Sequence, residues 1–341
     1  MNLSKYLIIS IFTAFLFTSP LLLAQEDYLW VKGFGQVSGT NSTDYGEAVT
    51  TDSSGNIFLT GQFQGTITFP SGIAMTSQGN FDYFLVKFDK DGNALWKRNA
   101  GSGAGSFPER GFGVRLDHFG NIITCGSFFS TTTWEGGGNP DITYTTMGNL
   151  DGFIAKYDSS GKLLWVKPQA SVSQIYTYKI AIDNYNNIVG CGYFGSNTSD
   201  SIAYFDTISI KSNKARDGFI AKYDPDGHAI WAKNFGGSVS ADQANDVVVD
   251  SAGNVYTCGM SAGISNFNGI TVNCDTVDSW KNGITSDVIV AKYSPAGNII
   301  WAKNFGGHNT DDAYALALDG MGNLYVTGYF DSVAVLDLSE L

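Results

Sequence analysis

The sequence predicts an all-β fold, a β-propeller of four-stranded antiparallel blades, on three observations. Tryptophans recur at a near-constant step: Trp30, Trp96, Trp165, Trp231 and Trp301 follow one another at intervals of 66, 69, 66 and 70 residues. The stretch before four of them is nearly the same each time: DYFLVKFDKDGNALW from Asp82, DGFIAKYDSSGKLLW from Asp151, DGFIAKYDPDGHAIW from Asp217 and DVIVAKYSPAGNIIW from Asp287. A second segment keeps that step as TTDSSGNIFLTG, RLDHFGNIITCG, AIDNYNNIVGCG, VVDSAGNVYTCG and ALDGMGNLYVTG. Five in-phase copies of a hairpin-rich unit, with long insertions, fit propeller blades better than solenoid coils.

Each unit resolves into strands in order. A short β-rich run, EAVTTD in the first copy and DVVVD in the fourth, leads into an Asp-x-x-Gly-Asn turn, and NIFLTGQF follows with period-2 alternation. After a variable stretch come DYFLVKFD, a DKDGN-type turn and ALWKR. The unit is thus four antiparallel strands with an insertion between the second and third. The tryptophan of the fourth strand is expected to be buried as a wedge between neighbouring blades. Phe69, Trp134 and Phe267 each stand eight residues after the glycine of the second strand, a regularity that makes them core. The fifth unit runs as far as DDAYALALDGMGNLYVTGYFDSVAVLDLSEL, without its third and fourth strands, and Trp30 stands alone as a fourth strand. The expectation is a piece of a longer propeller, because an unpaired sheet edge of this length invites aggregation.

Composition agrees: 41 glycines, 7 prolines, 14% aromatic and 15% charged residues suit short strands and tight turns. Lys5, the apolar run YLIISIFTAFLF and TSPLLLAQED follow the order of a secretory signal peptide, with cleavage expected after Ala24, leaving residues 25–341 as the propeller domain of an exported protein. No later segment approaches the roughly 18 consecutive apolar residues of a membrane span, so no membrane insertion is expected after cleavage. The net charge of −12 argues against nucleic acid and anionic membrane surfaces as partners.

Candidate chemistry is sparse. The turn aspartates Asp52, Asp117, Asp183, Asp250 and Asp319 occur in all five units and the strand-opening Asp82, Asp151, Asp217 and Asp287 in the four that reach the third strand, so they are expected to cap turns. Eight residues before each turn aspartate stand Asp44, Glu109, Ile175, Asp242 and Asp311. A carboxylate in four of five units at that place is expected to be a local cap or solvated rim, with the alternative that these side chains ring one mouth of the central channel as a weak cation or cationic-ligand site, calcium being the metal to test. DKDG at Asp89 and DPDG at Asp224 open like calcium loops, but Trp and Lys follow where further oxygen ligands belong, so they are hairpin turns and no metal site is assigned. Cys125, Cys191 and Cys258 share the slot before the second-strand glycine and are expected to be buried fillers. Trp280, without a counterpart and in the longest insertion, is the candidate exposed recognition residue. His118, His228 and His308 occupy unrelated phases and form no base-plus-nucleophile constellation, so no catalytic residue is assigned.

DGFIAKYDPDGHAIWAKNFGG followed by DVVVDSAGNVYTCG resembles the SBBP-type β-propeller repeats common in secreted and cell-surface proteins of Bacteroidetes, and the resemblance extends from Trp30 to Phe330. It implies the blade architecture and, for many such proteins, type IX secretion, while carrying no activity. The expected function is therefore a non-enzymatic exported propeller, secreted or at the cell surface, that binds an extracellular protein or glycan without a cofactor. The alternative is a propeller enzyme. AKYDSSGKLLW is similar to the quinoprotein-dehydrogenase repeat, which implies adjacent cysteines that this sequence lacks; a glycoside hydrolase of the sialidase kind implies a turn of different spacing.

Overall fold

In the computed structural model, the described residues are 30–35, 43–103, 107–196, 200–213, 215–237, 242–274, 285–307 and 309–331. Two compact units divide the chain, residues 1–31 and 32–341, and all the sheets belong to the second. The proposed signal segment and Trp280 lie outside the described residues. Among those residues every regular element is a β-strand, and no helix is long and apolar enough to cross a membrane.

The first sheet contains β1 (Tyr45–Thr51), β2 (Ile57–Phe63), β5 (Asp82–Phe88) and β6 (Ala94–Gly101), with a small hairpin, β3 (Thr66–Thr68) and β4 (Ala74–Thr76), between its second and third strands. The second repeats this as β7 (Arg110–Leu116), β8 (Ile122–Phe128), the hairpin β9 (Thr131–Trp134) and β10 (Ile142–Thr145), β11 (Asp151–Tyr157) and β12 (Leu163–Ser171). The third is β13 (Ile175–Ile182), β14 (Ile188–Phe194), β15 (Ile202–Phe205) and β16 (Ile208–Lys211), β17 (Asp217–Tyr223) and β18 (Ala229–Phe235). The fourth is β19 (Gln243–Val249), β20 (Val255–Ser261), β21 (Ile264–Phe267) and β22 (Ile270–Asn273), β23 (Asp287–Tyr293) and β24 (Ile299–Phe305); a fifth pair, β25 (Asp312–Leu318) and β26 (Leu324–Tyr329), follows. Among the described residues there are thus four complete antiparallel blades and the first two strands of a fifth, as the repeats predict. The first strand of each blade is innermost, with β1 against β7, β7 against β13, β13 against β19 and β19 against β25.

The third strand explains why its sequence repeats most faithfully. β11 and β17, both DGFIAKY, are buried along their whole length, because neighbouring strands flank both edges and neighbouring blades cover both faces. Every side chain there is chosen by packing. Tyr83 of the first blade meets Phe153 of the second edge-on, with ring centroids 5.3 Å apart.

The insertion is not a free loop. Its hairpin pairs with the outer strand of the preceding blade: Ala100 faces Trp134 between β6 and β9, and Gln169 faces Phe205 between β12 and β15. Single bridges from Gly236 to Asn266 and from Gly35 to Thr68 repeat the relation. Opposite residues compensate in size: small Ala100 accommodates Trp134, while Phe235 stacks on Phe267 at 4.6 Å between centroids. Phe69, Trp134 and Phe267 are buried, as their spacing predicts.

The tryptophans join blades, but less deeply than expected. The ring of Trp96 on β6 lies over Gly161 in the last turn of the second blade, Trp165 lies over Gly227 of the third, and Trp231 lies over Gly297 of the fourth. Only Trp231, at 6% exposure, is buried; Trp96, Trp165 and Trp301 are half-buried, because the ring covers the rim of the next turn. Trp301 instead meets Tyr256 of its own sheet. Trp30 belongs to the first unit and is half-buried there.

Candidate ligand cavity between the inner strands

Every inner strand carries a bulge at the same place. The register slips between Gly46 and Ala48, Gly111 and Gly113, Thr177 and Lys179, Ala244 and Asp246, and Ala313 and Ala315. The extra residues are Glu47, Phe112, Tyr178, Asn245 and Tyr314. A bulge bends the strand and re-aims the side chain it leaves unpaired. It also presses a backbone carbonyl against the second strand: a Cβ on Gly61, Gly126, Gly192, Gly259 or Gly328 would overlap the carbonyl oxygen of Tyr45, Arg110, Tyr176, Gln243 or Asp312 respectively. The repeated glycine of the second strand is thus required by the bulge opposite it.

Four of the bulged side chains, Phe112, Tyr178, Asn245 and Tyr314, line a cavity of about 240 Å³ between β7, β13, β19 and β25, completed by Lys179, Gln243 and Asp312. Phe112 and Tyr178 meet edge-on at 5.4 Å, and behind them Tyr176 stacks on Tyr193 at 5.0 Å while the Arg216 guanidinium lies 4.5 Å from the Tyr193 ring. Polar groups tie inner strands together. Lys179 Nζ donates to the Phe112 carbonyl at 3.0 Å, and Asn245 Nδ2 donates to Asp312 Oδ1 at 2.7 Å and to the Ala313 carbonyl at 2.8 Å. Gln243 Nε2 donates to Asn245 Oδ1 at 3.0 Å. Burial pushes the Asp312 carboxyl up to about 7, against the lowering effect of the Asn245 hydrogen bond. The cavity therefore offers aromatic faces, amides, one ammonium and one carboxyl.

The alternative of a ring of mouth carboxylates is corrected. Glu109, Asp242 and Asp311 are almost fully buried and face the junctions between blades. Glu109 accepts from Ser102 Oγ at 2.6 Å and Thr132 Oγ1 at 3.2 Å. Asp242 accepts from the Gly237 and Ala262 amides at 3.1 and 3.2 Å and from the Ser261 hydroxyl. Asp311 accepts from the Gly307 and Asp331 amides, both at 2.9 Å. Asp44, half-buried, accepts from the Gln64 amide at 3.3 Å, and Ile175 is core. The physical reason is that the chain crosses from one blade's outer strand to the next blade's inner strand here, and buried carboxyls tie that crossing to the segment after the second strand by accepting amides and hydroxyls from both.

These carboxyls come in pairs with the strand-opening aspartates of the preceding blade. A Cβ on Gly236 would stand 2.6 Å from Asp217 Oδ1 and 2.8 Å from Asp242 Oδ2, and Gly306 lies likewise between Asp287 and Asp311. Asn234 and Asn304 donate to Asp217 and Asp287, each at 2.6 Å. Where Ile175 replaces the second acid, Ala170 replaces the glycine and Pro168 the asparagine. Burial pushes Asp217 and Glu109 up to about 7 and Asp242 up to about 6.

The other recurring residues are structural. Asp52, Asp117, Asp183, Asp250 and Asp319 each accept from two amides of their own turn, as Asp183 does from Tyr185 and Asn187 at 2.9 Å. Asp89 and Asp224 cap hairpin turns in the same way. The repeated strand lysine reaches the turn carboxylate inside two blades, Lys156 to Asp117 at 3.0 Å and Lys222 to Asp183 at 2.8 Å. Cys125, Cys191 and Cys258 are buried thiols, and Cys274 is buried as well. Among the described residues no group of three or more His, Cys, Asp or Glu side chains is placed to hold one metal ion.

Comparison with known proteins agrees with the architecture. A family model described as "Beta-propeller repeat", SBBP, matches residues 30–62 and 230–268. Over 189 residues the chain is 26% identical to the uncharacterized WD repeat-containing protein L264 of Acanthamoeba polyphaga mimivirus; the match covers 50% of this chain and spans only 13% of that relative's length. A crystal structure of a protein of unknown function from Bacteroides caccae shares 12% identity over 78% of this chain and 83% of its own, with a TM-score of 0.28. The matched segments and the observed blades agree: this chain carries SBBP-type β-propeller repeats.

Proposed function

We propose that the protein is an exported, non-enzymatic binding module, secreted or held at the cell surface, that captures an extracellular protein or glycan at the centre of its propeller. One observation carries the reading. All five inner strands bulge at one place, the side chains there and beside it differ from unit to unit, as with Glu47, Phe112, Tyr178, Asn245 and Tyr314, and four of these bulged side chains meet in one cavity. A repeated frame that aims side chains of differing chemistry at one cavity has the organisation of a recognition site. Export rests on the signal-like residues 1–24. The non-enzymatic reading is supported by the recurring carboxylates, which are occupied in capping turns and blade crossings.

The test is parallel screening of the purified chain on glycan and peptide arrays beside hydrolase and dehydrogenase assays, with culture fractionation for location. Saturable binding weakened by Tyr178→Ala supports the reading. Turnover by the protein, or its retention in the cytoplasm, contradicts it.

A further inference from the structure

We propose that the cavity between the bulged strands binds the terminal ring of a neutral glycan, one pyranose lying on the aromatic faces of Phe112, Tyr178 and Tyr314 and held at its edge by Lys179, Gln243 and Asp312. The proposal rests on the binding-module reading above and names its ligand class.

Charge narrows the ligand first. The lining has one ammonium and one carboxyl. An anion drawn to Lys179 would also face Asp312, and a cation drawn to Asp312 would face Lys179, so neither charged class gains a matched environment. A neutral ligand has no such conflict. The polar groups then specify what kind of neutral molecule fits. Gln243 has an amide proton beyond the one given to Asn245 Oδ1 and a carbonyl oxygen that accepts, Asp312 accepts, and Lys179 has protons beyond the one given to the Phe112 carbonyl at 3.0 Å. A hydroxyl also donates and accepts, and a sugar presents several around one ring.

Aromatic walls supply the remaining term. The C–H face of a pyranose is apolar, and covering it with Phe112, Tyr178 and Tyr314 removes both surfaces from water. The cavity, at about 240 Å³, is smaller than the roughly 300–1,000 Å³ of pockets for drug-sized ligands, which suits one ring. Tyr314, at 57% exposure, marks its solvent side, through which the rest of an oligosaccharide leaves.

The experiment titrates the purified chain with methyl glycosides of glucose, galactose, mannose and N-acetylglucosamine, read by NMR shift perturbation and intrinsic fluorescence. At least one glycoside is expected to bind saturably, with affinity reduced about tenfold or more by Tyr178→Ala and kept within about threefold by Tyr178→Phe, whose ring keeps the stacking face. Because Tyr178→Ala also removes ring packing against Phe112 and Tyr193, the exposed Tyr314→Ala is the fold-safe companion, expected to weaken binding with an unchanged melting temperature. Tetramethylammonium and inorganic phosphate are expected not to compete. Failure of every glycoside, competition by either ion, or binding indifferent to both tyrosine variants overturns the proposal. A peptide that binds the parent and loses affinity in these variants overturns the glycan class while leaving the binding module standing, whereas silence of glycosides and both arrays removes both.

Discussion

The indole Nε1–H of Trp231 donates to the carbonyl oxygen of Pro295, 3.0 Å away in the last turn of the next blade. The same ring covers Gly297, whose φ of +80° places it in the left-handed region, and stacks on Tyr293 at 6.5 Å. One side chain on an outer strand thus closes a turn of its neighbour. Trp231→Ala is expected to cost about 3–5 kcal/mol of stability, because it removes a buried aromatic and leaves the turn uncovered. Trp301→Ala, at a half-buried ring that meets Tyr256 in its own sheet, is expected to cost about 1–2 kcal/mol. Urea melts of the two variants check the difference, and equal losses would remove the inter-blade role.

The repeated second-strand glycine is a steric consequence of the bulge. A Cβ on Gly192 would overlap the carbonyl oxygen of Tyr176, which belongs to the backbone and cannot rotate away. Gly192→Ala is therefore expected to lose about 3 kcal/mol or more and to disturb Tyr178 in the cavity. Two residues earlier, a Cβ on Gly190 would meet only side-chain atoms, the nearest 3.4 Å away. Gly190→Ala is expected to stay within about 0.5 kcal/mol of the parent, helped by the lower entropy of its unfolded chain. Thermal melts of this pair separate the two glycines, and matching losses would contradict the bulge argument.

Blades were legible in the sequence because their signals are local. A turn aspartate binds amides two and four residues on, and a blade hairpin is completed within about twenty residues of chain. The cavity was not legible, because a bulge is a slip between two strands and is set by their register. The sequence pointed eight residues before the turn aspartate, to Glu109 and Asp242, where a repeated charge looked functional. Those acids recur because the chain crossing between blades needs them. Five residues before the same aspartate, Phe112, Tyr178 and Asn245 differ inside a repeated strand, and that variation was the available signal. Pairing of the hairpins with the preceding blade was hidden for a related reason. It is long-range, and only the buried aromatics Phe69, Trp134 and Phe267 marked it.

Lys222 and Asp183 form an ion pair at 2.8 Å with side chains 6% and 1% exposed. Burial opposes ionisation of Asp183, but hydrogen bonds from Lys222, Asn187 and the turn amides hold its carboxyl below the ordinary value. Lys222→Met keeps most of the stem volume and strands the carboxylate, so a loss of about 3 kcal/mol is expected. A group held below its ordinary value contributes stability at higher pH that is lost as pH falls, so the deficit of the variant against the parent should shrink as pH falls below the ordinary value of 3.8. The exposed pair Lys90–Asp91, at 2.9 Å, is the control. Lys90→Met is expected to leave stability unchanged within the error of the measurement. Equal effects in a denaturant titration would show that burial does not set the weight of these pairs.

The carboxyls at the blade crossings act with the opposite sign. Asp217 and Glu109 are raised by burial to about 7, from ordinary values of 3.8 and 4.5, so the folded chain holds protons that the unfolded chain releases. Their contribution is fully present below the ordinary values and is lost as pH rises through about 7. The turn aspartates lose theirs only as pH falls below 3.8. Stability should therefore peak between these limits, in mildly acidic solution, and decline toward neutrality. In the double variant Asp217→Asn, Glu109→Gln the decline should be shallower whatever its absolute stability, because amides at these positions do not titrate. The net charge of −12 adds self-repulsion with rising pH, but parent and variant share nearly all of it, so the difference in slope reads the two carboxyls. Urea midpoints at pH 4, 5, 6 and 7 supply that slope, and parallel curves would mean that neither group carries its proton into the folded state.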